Sequence, residues 1–294
     1  MIKIGYSAVD LEAKFIKSVY KRNIERFHKD CELVHFATEK DGYDTLNSGK
    51  EIAALAIPLE NLSTTLPEGL VIAGLSARNA CEVCLITFPT TSYSDALFNL
   101  PEKPLLAHWS GIIAEQFKEI IPTVRFLNYA NTDEILLELE TIAEFKKTIK
   151  KNLGLDNSSE LADAINGGLV SKTFLSGNRK INDGELEEIP FDSSEITSLP
   201  GAGVVAFLAK ADDVNTRRFL KNIHNPESGE LTNIERKLKK MFEDKDIAAF
   251  CKKDDGGNYH LFAATLVKGQ LKRCRLSQST FFELAEKAYT LLIG

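Results

Sequence analysis

The chain has 294 residues, 44% apolar and 27% charged, a globular composition with room for two or three domains. Its formal net charge of −6 argues against non-specific binding to nucleic acids, which requires a basic face. No apolar run is long enough to cross a membrane, and the first residues lack the apolar stretch of a signal peptide. We therefore expect a cytoplasmic protein without a nucleic-acid or membrane partner.

Apolar periodicity predicts alternating strands and helices in the first two-thirds of the chain. A strand at IKIGY precedes an amphipathic helix, DLEAKFIKSVYKRNIERF, and further strands follow at ELVHF, EIAALAI, LVIAGLS and EVCLITF. The turn-rich segment TTSYSDALFNLPEKP predicts a crossover to a second lobe. That lobe contains the strand LLAHW, the helix GIIAEQFKEII, the strand VRFLNY, helices over 132–152 and SSELADAINGG, and the strand LVSKTFLS.

The remainder returns to the first lobe and then forms a different kind of domain. The strand in SLPGAGVVAFLAKADD makes the return. The helix SGELTNIERKLKKMF, the strands IAAFCKK, YHLFAATLV and QLKRCRLS, and the helix STFFELAEKAYTLLI predict an α+β domain. The predicted fold class is thus α/β: a lobe of residues 1–95 and 197–224, a lobe of residues 103–195, and a C-terminal α+β domain of residues 225–294. A cleft between the lobes is the expected ligand site.

Five cysteines without an export signal indicate free thiols. Cys81 and Cys84 form a C-x-x-C motif, the spacing of a redox pair or of half a zinc site. Both lie at the start of an apolar strand, and the sequence has no second ligand pair. Two small core residues are therefore the favoured interpretation, and we expect no metal.

The polar and aromatic cluster His108, Trp109 and Ser110 ends a strand and opens a helix of the second lobe. Strand ends that face a cleft are where α/β folds place ligands, and Ser110 suits a helix N-cap. The alternative is a capped helix with a tryptophan packed beneath it. Since the sequence has no G-x-G-x-x-G, Walker loop or G-x-S-x-G, motifs alone do not define a function.

Four segments, in this order along the chain, are informative together: LPEGLVIAGLSAR (66–78), INGGLVSKTFLSGNRKI (165–181), SLPGAGVVAFLAKADDVNTRRFLKNIHNPE (198–227) and IERKLKKMFE (234–243). Together they resemble hydroxymethylbilane synthase, also called porphobilinogen deaminase. The resemblance implies two periplasmic-binding-protein-like (type II) lobes and a third, α+β domain, in agreement with the layout above. It also implies ancestry in tetrapyrrole biosynthesis, where this deaminating transferase joins four porphobilinogens into hydroxymethylbilane, a porphyrin precursor.

In that family a cysteine in the loop after the last of these segments carries a covalent dipyrromethane cofactor, the primer for polymerisation. Counting forward from Glu235 and Arg236 places this position on Asp246, and a carboxylate cannot form the thioether. Cys251 lies five residues further on, inside a predicted strand. The resemblance therefore implies a loop that has lost its cofactor, so we expect none.

Other functional positions of the family are also replaced. The catalytic aspartate corresponds to the run 55–59, where Glu60 is the nearest acid. The arginines that hold the substrate's carboxylates correspond to Ser7, Ile112, Ile113, Asn128 and a position near Glu134, and a cation remains only at Arg179 or Lys180. The ligand cleft is expected to be lined by Tyr6, Ser7, His108, Trp109, Ser110, Ile112, Ile113, Asn128, Arg179 and Lys180.

Three functions are compatible with these observations. The favoured one is a catalytically impaired, monomeric deaminase relative, a pseudoenzyme that binds a less anionic small molecule or has a regulatory role. The second is an active porphobilinogen deaminase that uses Cys251 for the cofactor and Glu60 as the acid. The third is a solute-binding protein of the periplasmic type, which explains neither the missing export signal nor the C-terminal domain.

Overall fold

The structure is a computed structural model that describes residues 2–7, 10–25, 31–87, 100–108, 110–128, 167–171, 187–243 and 245–294. Its strands are β1 (Ile2–Ser7), β2 (Cys31–Phe36), β3 (Ala54–Pro58), β4 (Leu70–Leu75), β5 (Val83–Thr87), β6 (Leu105–His108), β7 (Arg125–Asn128), β8 (Gly167–Ser171), β9 (Glu187–Pro190), β10 (Val205–Lys210), β11 (Ile247–Lys253), β12 (Tyr259–Val267) and β13 (Gln270–Gln278). Its α-helices are α1 (Asp10–Tyr20), α2 (Glu39–Ser48), α3 (Gly111–Ile120), α4 (Val214–Lys221), α5 (Pro226–Met241) and α6 (Leu284–Ile293). The two helices predicted between residues 132 and 166 lie outside the described residues.

The first lobe is a five-stranded sheet in the order β2-β1-β3-β10-β4. β1 runs parallel to β2 and β3, whereas β10 is antiparallel to β3 and β4. Every residue of β3 is buried, because apolar side chains cover both faces of this central strand. Helix α1 packs its apolar stripe, including Phe15, Ile16 and Val19, into a core cluster of the lobe.

The second lobe repeats this arrangement in the order β7-β6-β8-β5-β9. β6 is parallel to β7 and β8, and β5 is antiparallel to β8 and β9. In each lobe, one strand inside the sheet is antiparallel to its neighbours, and a crossover separates it in the chain from the rest of that lobe. This strand is β10 in the first lobe and β5 in the second. Two such lobes confirm the predicted fold class, α/β with periplasmic-binding-protein-like (type II) lobes.

The C-terminal domain is an antiparallel sheet, β11-β12-β13, with helices α5 and α6 packed on one face. The other face contacts the second lobe, because Ala248 and Ala264 belong to the same core cluster as Ile112 and Ile113 of α3. This contact brings the loop before β11 to the first turn of α3. Within the part of the chain described, no helix combines the length and apolarity needed to span a bilayer.

Candidate functional site

The corner between β6 and α3 carries the polar residues that the sequence singled out. His108 ends β6 and is 7% exposed, and Ser110 precedes α3 and is 8% exposed. The His108 Nδ1 atom lies 3.0 Å from the Ser110 carbonyl oxygen, so we assign the ring proton to Nδ1 and a lone pair to Nε2. Burial lowers the pKa of His108 against the opposing effect of that carbonyl, which favours a neutral imidazole near pH 7.

A carboxylate from another domain caps the helix at this corner. Asp246, immediately before β11, accepts a hydrogen bond of 2.9 Å from the backbone N–H of Ile112 in the first turn of α3. Gly111 permits this approach, because a Cβ at that position would lie 2.8 Å from the Asp246 Oδ2 atom. The carboxylate therefore occupies the positive end of the helix dipole, where anions bind in many proteins.

The Asp246 carboxylate is perturbed by this position. Burial of the group raises its pKa, and the Ile112 N–H and the nearby His108 act in the opposite direction. The residue as a whole is nevertheless exposed to solvent. The arrangement is therefore an accessible carboxylate beside a neutral imidazole, a pair that can accept hydrogen bonds from a ligand.

Ser110 occupies the predicted N-cap position, but its side chain does not cap the helix. Its backbone is extended, with φ −133° and ψ 128°, as an N-cap requires. The Ser110 Oγ atom is buried and has no hydrogen-bond partner among the described residues. Asp246 accepts the capping hydrogen bond instead. The sequence does not indicate this, because Asp246 reaches α3 only through the contact between the two domains.

Two of the residues predicted to line the cleft are buried in an apolar core instead. Ile112 and Ile113 are both 0% exposed and belong to the apolar core between α3, the second-lobe sheet and the C-terminal sheet. The reason is the amphipathic pattern of α3, whose apolar positions face the sheets. What Ile112 offers at the corner is its backbone N–H, not its side chain.

The remaining predicted cleft residues are only partly described. Tyr6 and Ser7, at the end of β1, are each 5% exposed, and the Tyr6 ring packs 5.1 Å from that of His35. Tyr6 therefore belongs to the first-lobe core rather than to an open surface. Asn128 ends β7 and pairs with His108 in the parallel register, which places its backbone beside the corner. Trp109, Arg179 and Lys180 lie outside the described residues.

The two residues proposed to replace the family's catalytic groups lie elsewhere. Glu60 is 7% exposed in a short 3₁₀ turn after β3, close enough to Cys81 to act on the pKa of that thiol. Cys251 is 0% exposed in the middle of β11, in the core shared with α5 and α6. Burial raises the pKa of the Cys251 thiol, so it is neither accessible nor ionised in this conformation.

A buried ion pair, which the sequence did not reveal, joins the crossovers to the C-terminal domain. Arg78 lies between β4 and β5, and its Nη2 atom is 2.8 Å from both carboxylate oxygens of Glu235 in α5. Glu235 also accepts hydrogen bonds from the backbone N–H groups of Gly201, at 2.8 Å, and Cys251, at 2.7 Å. Arg78 belongs to the crossover between β4 and β5, and Gly201 to the crossover between β9 and β10. The Glu235 carboxylate therefore holds both crossovers against helix α5 and strand β11.

Fold and corner together define a two-lobed α/β protein with a polar corner on its second lobe and a docked α+β domain. No protein-family model matches the chain, and no curated protein matches it at a significant level.

Several solved structures are similar to it. The substrate-binding domain of a putative molybdenum ABC transporter from Clostridium difficile is 11% identical, with a TM-score of 0.42, over 83% of this chain and 96% of that one. A mutant OxyR regulatory domain from Pseudomonas aeruginosa is 12% identical, with a TM-score of 0.39, over 76% of this chain and 93% of that one. YhfZ from Shigella flexneri is 11% identical, with a TM-score of 0.35, over 83% of this chain and 98% of that one. At this distance, function has to be argued from the site.

Proposed function

We propose that this chain is a ligand-binding protein, a catalytically impaired relative of hydroxymethylbilane synthase. Its ligand is a small molecule that binds between the lobes and carries less negative charge than a carboxylated pyrrole. The observation that supports this most strongly is the Asp246 carboxylate at the N-terminus of α3.

The charge argument follows from what a helix N-terminus attracts. Its free N–H groups and its dipole favour an anion. Here the chain supplies that anion itself, since Asp246 accepts the Ile112 N–H bond. A ligand carboxylate at the same place would meet a like charge, and the neutral His108 imidazole does not compensate for it. We therefore expect neutral or singly charged ligands to bind better than polycarboxylates.

The lack of an accessible thiol where the family attaches its cofactor supports the loss of the transferase reaction. The position that resembles the family's cofactor cysteine is Asp246, whose carboxylate cannot form a thioether. Cys251 would have to leave the core of the C-terminal domain, where its backbone N–H is bonded to Glu235. Without an attached dipyrrole, the polymerisation has no primer.

The first test is the intact mass of the protein after incubation with porphobilinogen, paired with a pyrrole colour reaction. We expect the mass of the bare chain and no colour. An added mass of two pyrrole units would contradict the proposal and support the alternative, an active deaminase. Peptide mapping and the variant Cys251→Ser would then show whether Cys251 holds the cofactor.

The charge preference is tested with a matched pair of probes, porphobilinogen and its dimethyl ester, by isothermal titration calorimetry. We expect the diester to bind the wild-type protein about tenfold more tightly, a difference of about 1.4 kcal/mol. In Asp246→Asn this preference should disappear, because the side chain keeps an acceptor oxygen but loses its charge. Tighter binding of the diacid to the wild-type protein would contradict the proposal.

A further inference from the structure

The turn between β13 and α6 displays two aromatic side chains to solvent. Phe281 is 55% exposed and Phe282 is 67% exposed, and they are the exposed phenylalanines in the described part of the chain. Leu291 and Ile293, at the other end of α6, are also exposed, at 57% and 50%. Two large apolar side chains exposed side by side, as Phe281 and Phe282 are, mark interaction sites on many proteins.

The turn is held in place by polar contacts and by the Phe281 ring, which packs edge-on against the buried Tyr259 with ring centroids 5.9 Å apart. The Gln278 side-chain amide donates hydrogen bonds to the carbonyl oxygens of Thr280, at 2.6 Å, and Phe282, at 2.8 Å. The Lys287 ammonium in turn donates to the Gln278 Oε1 atom at 3.0 Å. Glu283 has φ +56°, a left-handed conformation that costs a non-glycine residue about 1 kcal/mol or more. The backbone that carries the two rings is thus fixed before a partner binds, which lowers the entropic cost of binding.

Beside the turn lies a groove of about 440 Å³ between α5 and the start of α6. Its lining includes Phe281 and Phe282 together with the buried side chains of Ile234 and Ala285. The groove also carries three carboxylates, those of Glu230, Glu283 and Glu286, against the single ammonium group of Lys237. Lys237 is paired with Glu286, and the Tyr259 hydroxyl donates a hydrogen bond to Glu230. The lining still carries an excess of negative charge, and the exposed Glu283 presents it to solvent.

We propose that this groove docks a basic, amphipathic helical segment of a partner protein. Apolar side chains of that segment pack between Phe281 and Phe282, and its lysines or arginines contact the carboxylates. The charge argues against two other occupants. An anionic membrane surface would be repelled by the carboxylates. A second copy in a two-fold contact would bring the same acidic groove against itself.

The test measures fluorescence anisotropy of a labelled synthetic amphipathic helix of leucine and lysine, with a matched helix of leucine and glutamate. We expect the basic peptide to bind with an affinity that falls with salt, and the acidic peptide not to bind. Phe282→Ser and Glu283→Lys should each weaken binding at least tenfold. The matched controls, Val214→Ser and Glu68→Lys on the exposed surface of the first lobe, should leave it unchanged.

Three outcomes would overturn the proposal. The first is no binding of the basic peptide, or equal binding by the wild-type protein and Phe282→Ser. The second is a concentration-dependent dimer in sedimentation velocity that Phe282→Ser abolishes, which would assign the groove to a second copy. The third is binding to phosphatidylserine vesicles that the same variant abolishes, which would assign it to a membrane.

Discussion

Two carboxylates in the same stretch of chain, Glu235 and Asp246, meet opposite surroundings. Glu235 is 0% exposed and is bonded by the Arg78 guanidinium and by two backbone N–H groups. Asp246 is exposed and accepts one backbone hydrogen bond, that of Ile112, among the described residues. Glu235 joins helix α5 to strand β11 and to the crossovers, and Asp246 joins the start of β11 to helix α3.

The two carboxylates differ in how much acceptor capacity the fold uses, although both stabilise a contact between domains. All the acceptor capacity of Glu235 is directed at groups that hold the fold together, so none is left for a ligand. Asp246 retains lone pairs toward solvent and has the neutral His108 beside it. The buried, saturated Glu235 carboxylate therefore serves stability, and the exposed Asp246 carboxylate is the one that we propose a ligand meets.

The largest effect is expected from Glu235→Gln. The substitution leaves the buried Arg78 guanidinium without a compensating charge, a loss of about 3–5 kcal/mol in the free energy of unfolding. Urea denaturation followed by circular dichroism measures it. The control is Glu68→Gln, an exposed carboxylate of the first lobe that should change the free energy by less than about 0.5 kcal/mol.

The double variant Arg78→Met, Glu235→Leu sharpens this test. Replacing both partners with apolar residues removes the unpaired charge, so we expect it to recover part of the lost stability. A loss below about 1 kcal/mol in Glu235→Gln would show that the ion pair does not hold the crossovers against the C-terminal domain.

A smaller effect is expected from Asp246→Ala, which removes the acceptor of the Ile112 N–H bond at the start of α3. Loss of a helix cap costs about 1 kcal/mol, measurable by the same urea denaturation. Asp246→Asn keeps an acceptor oxygen and should lose less. Equal losses in the two variants would contradict the capping role.

The smallest effect concerns pH. Burial raises the pKa of Asp246 in the folded state above its unfolded value, so its protonated form contributes stability that is fully present below about pH 4 and is lost as pH rises through the folded pKa. We therefore expect Asp246→Asn to gain stability relative to the wild-type protein between pH 3 and pH 6, by less than the loss in Asp246→Ala. A difference that does not change with pH would contradict the assignment.

Periodicity predicted most of the described strands and the two α/β lobes, because buried strands and amphipathic helices leave strong patterns. The type II character of the lobes was implied by the family resemblance. Periodicity missed helix α2, whose sequence EKDGYDTLNS has a weak apolar stripe, the eight-residue helix α4 and the four-residue strand β9. It also began the last helix too early, since Phe281 and Phe282 belong to the turn before α6. These errors occur where the apolar pattern of the segment is weak or the segment is short. There, contacts with residues distant in the chain decide the structure.

The candidate site was only partly predictable. His108 and Ser110 stood out because strand ends and helix caps have recognisable residues. The role of Asp246 could not be predicted, because its partner is a backbone N–H that carries no side-chain signal. Ile112 and Ile113 were assigned to the cleft by the family resemblance, although the stripe of α3 places both in the core. Arg78 was missed because its partner Glu235 is distant in the chain.

The exchange of strands between the lobes has a consequence for the growing chain on the ribosome. The first-lobe sheet is joined through β10, which lies between β3 and β4. Neither strand can complete its pairing when β4 emerges at Leu75, because the strand that joins them begins only at Val205. Both have to wait while the whole second lobe is synthesised. We therefore expect the first-lobe strands to expose unpaired edges and apolar surface during synthesis, the condition under which chaperones act.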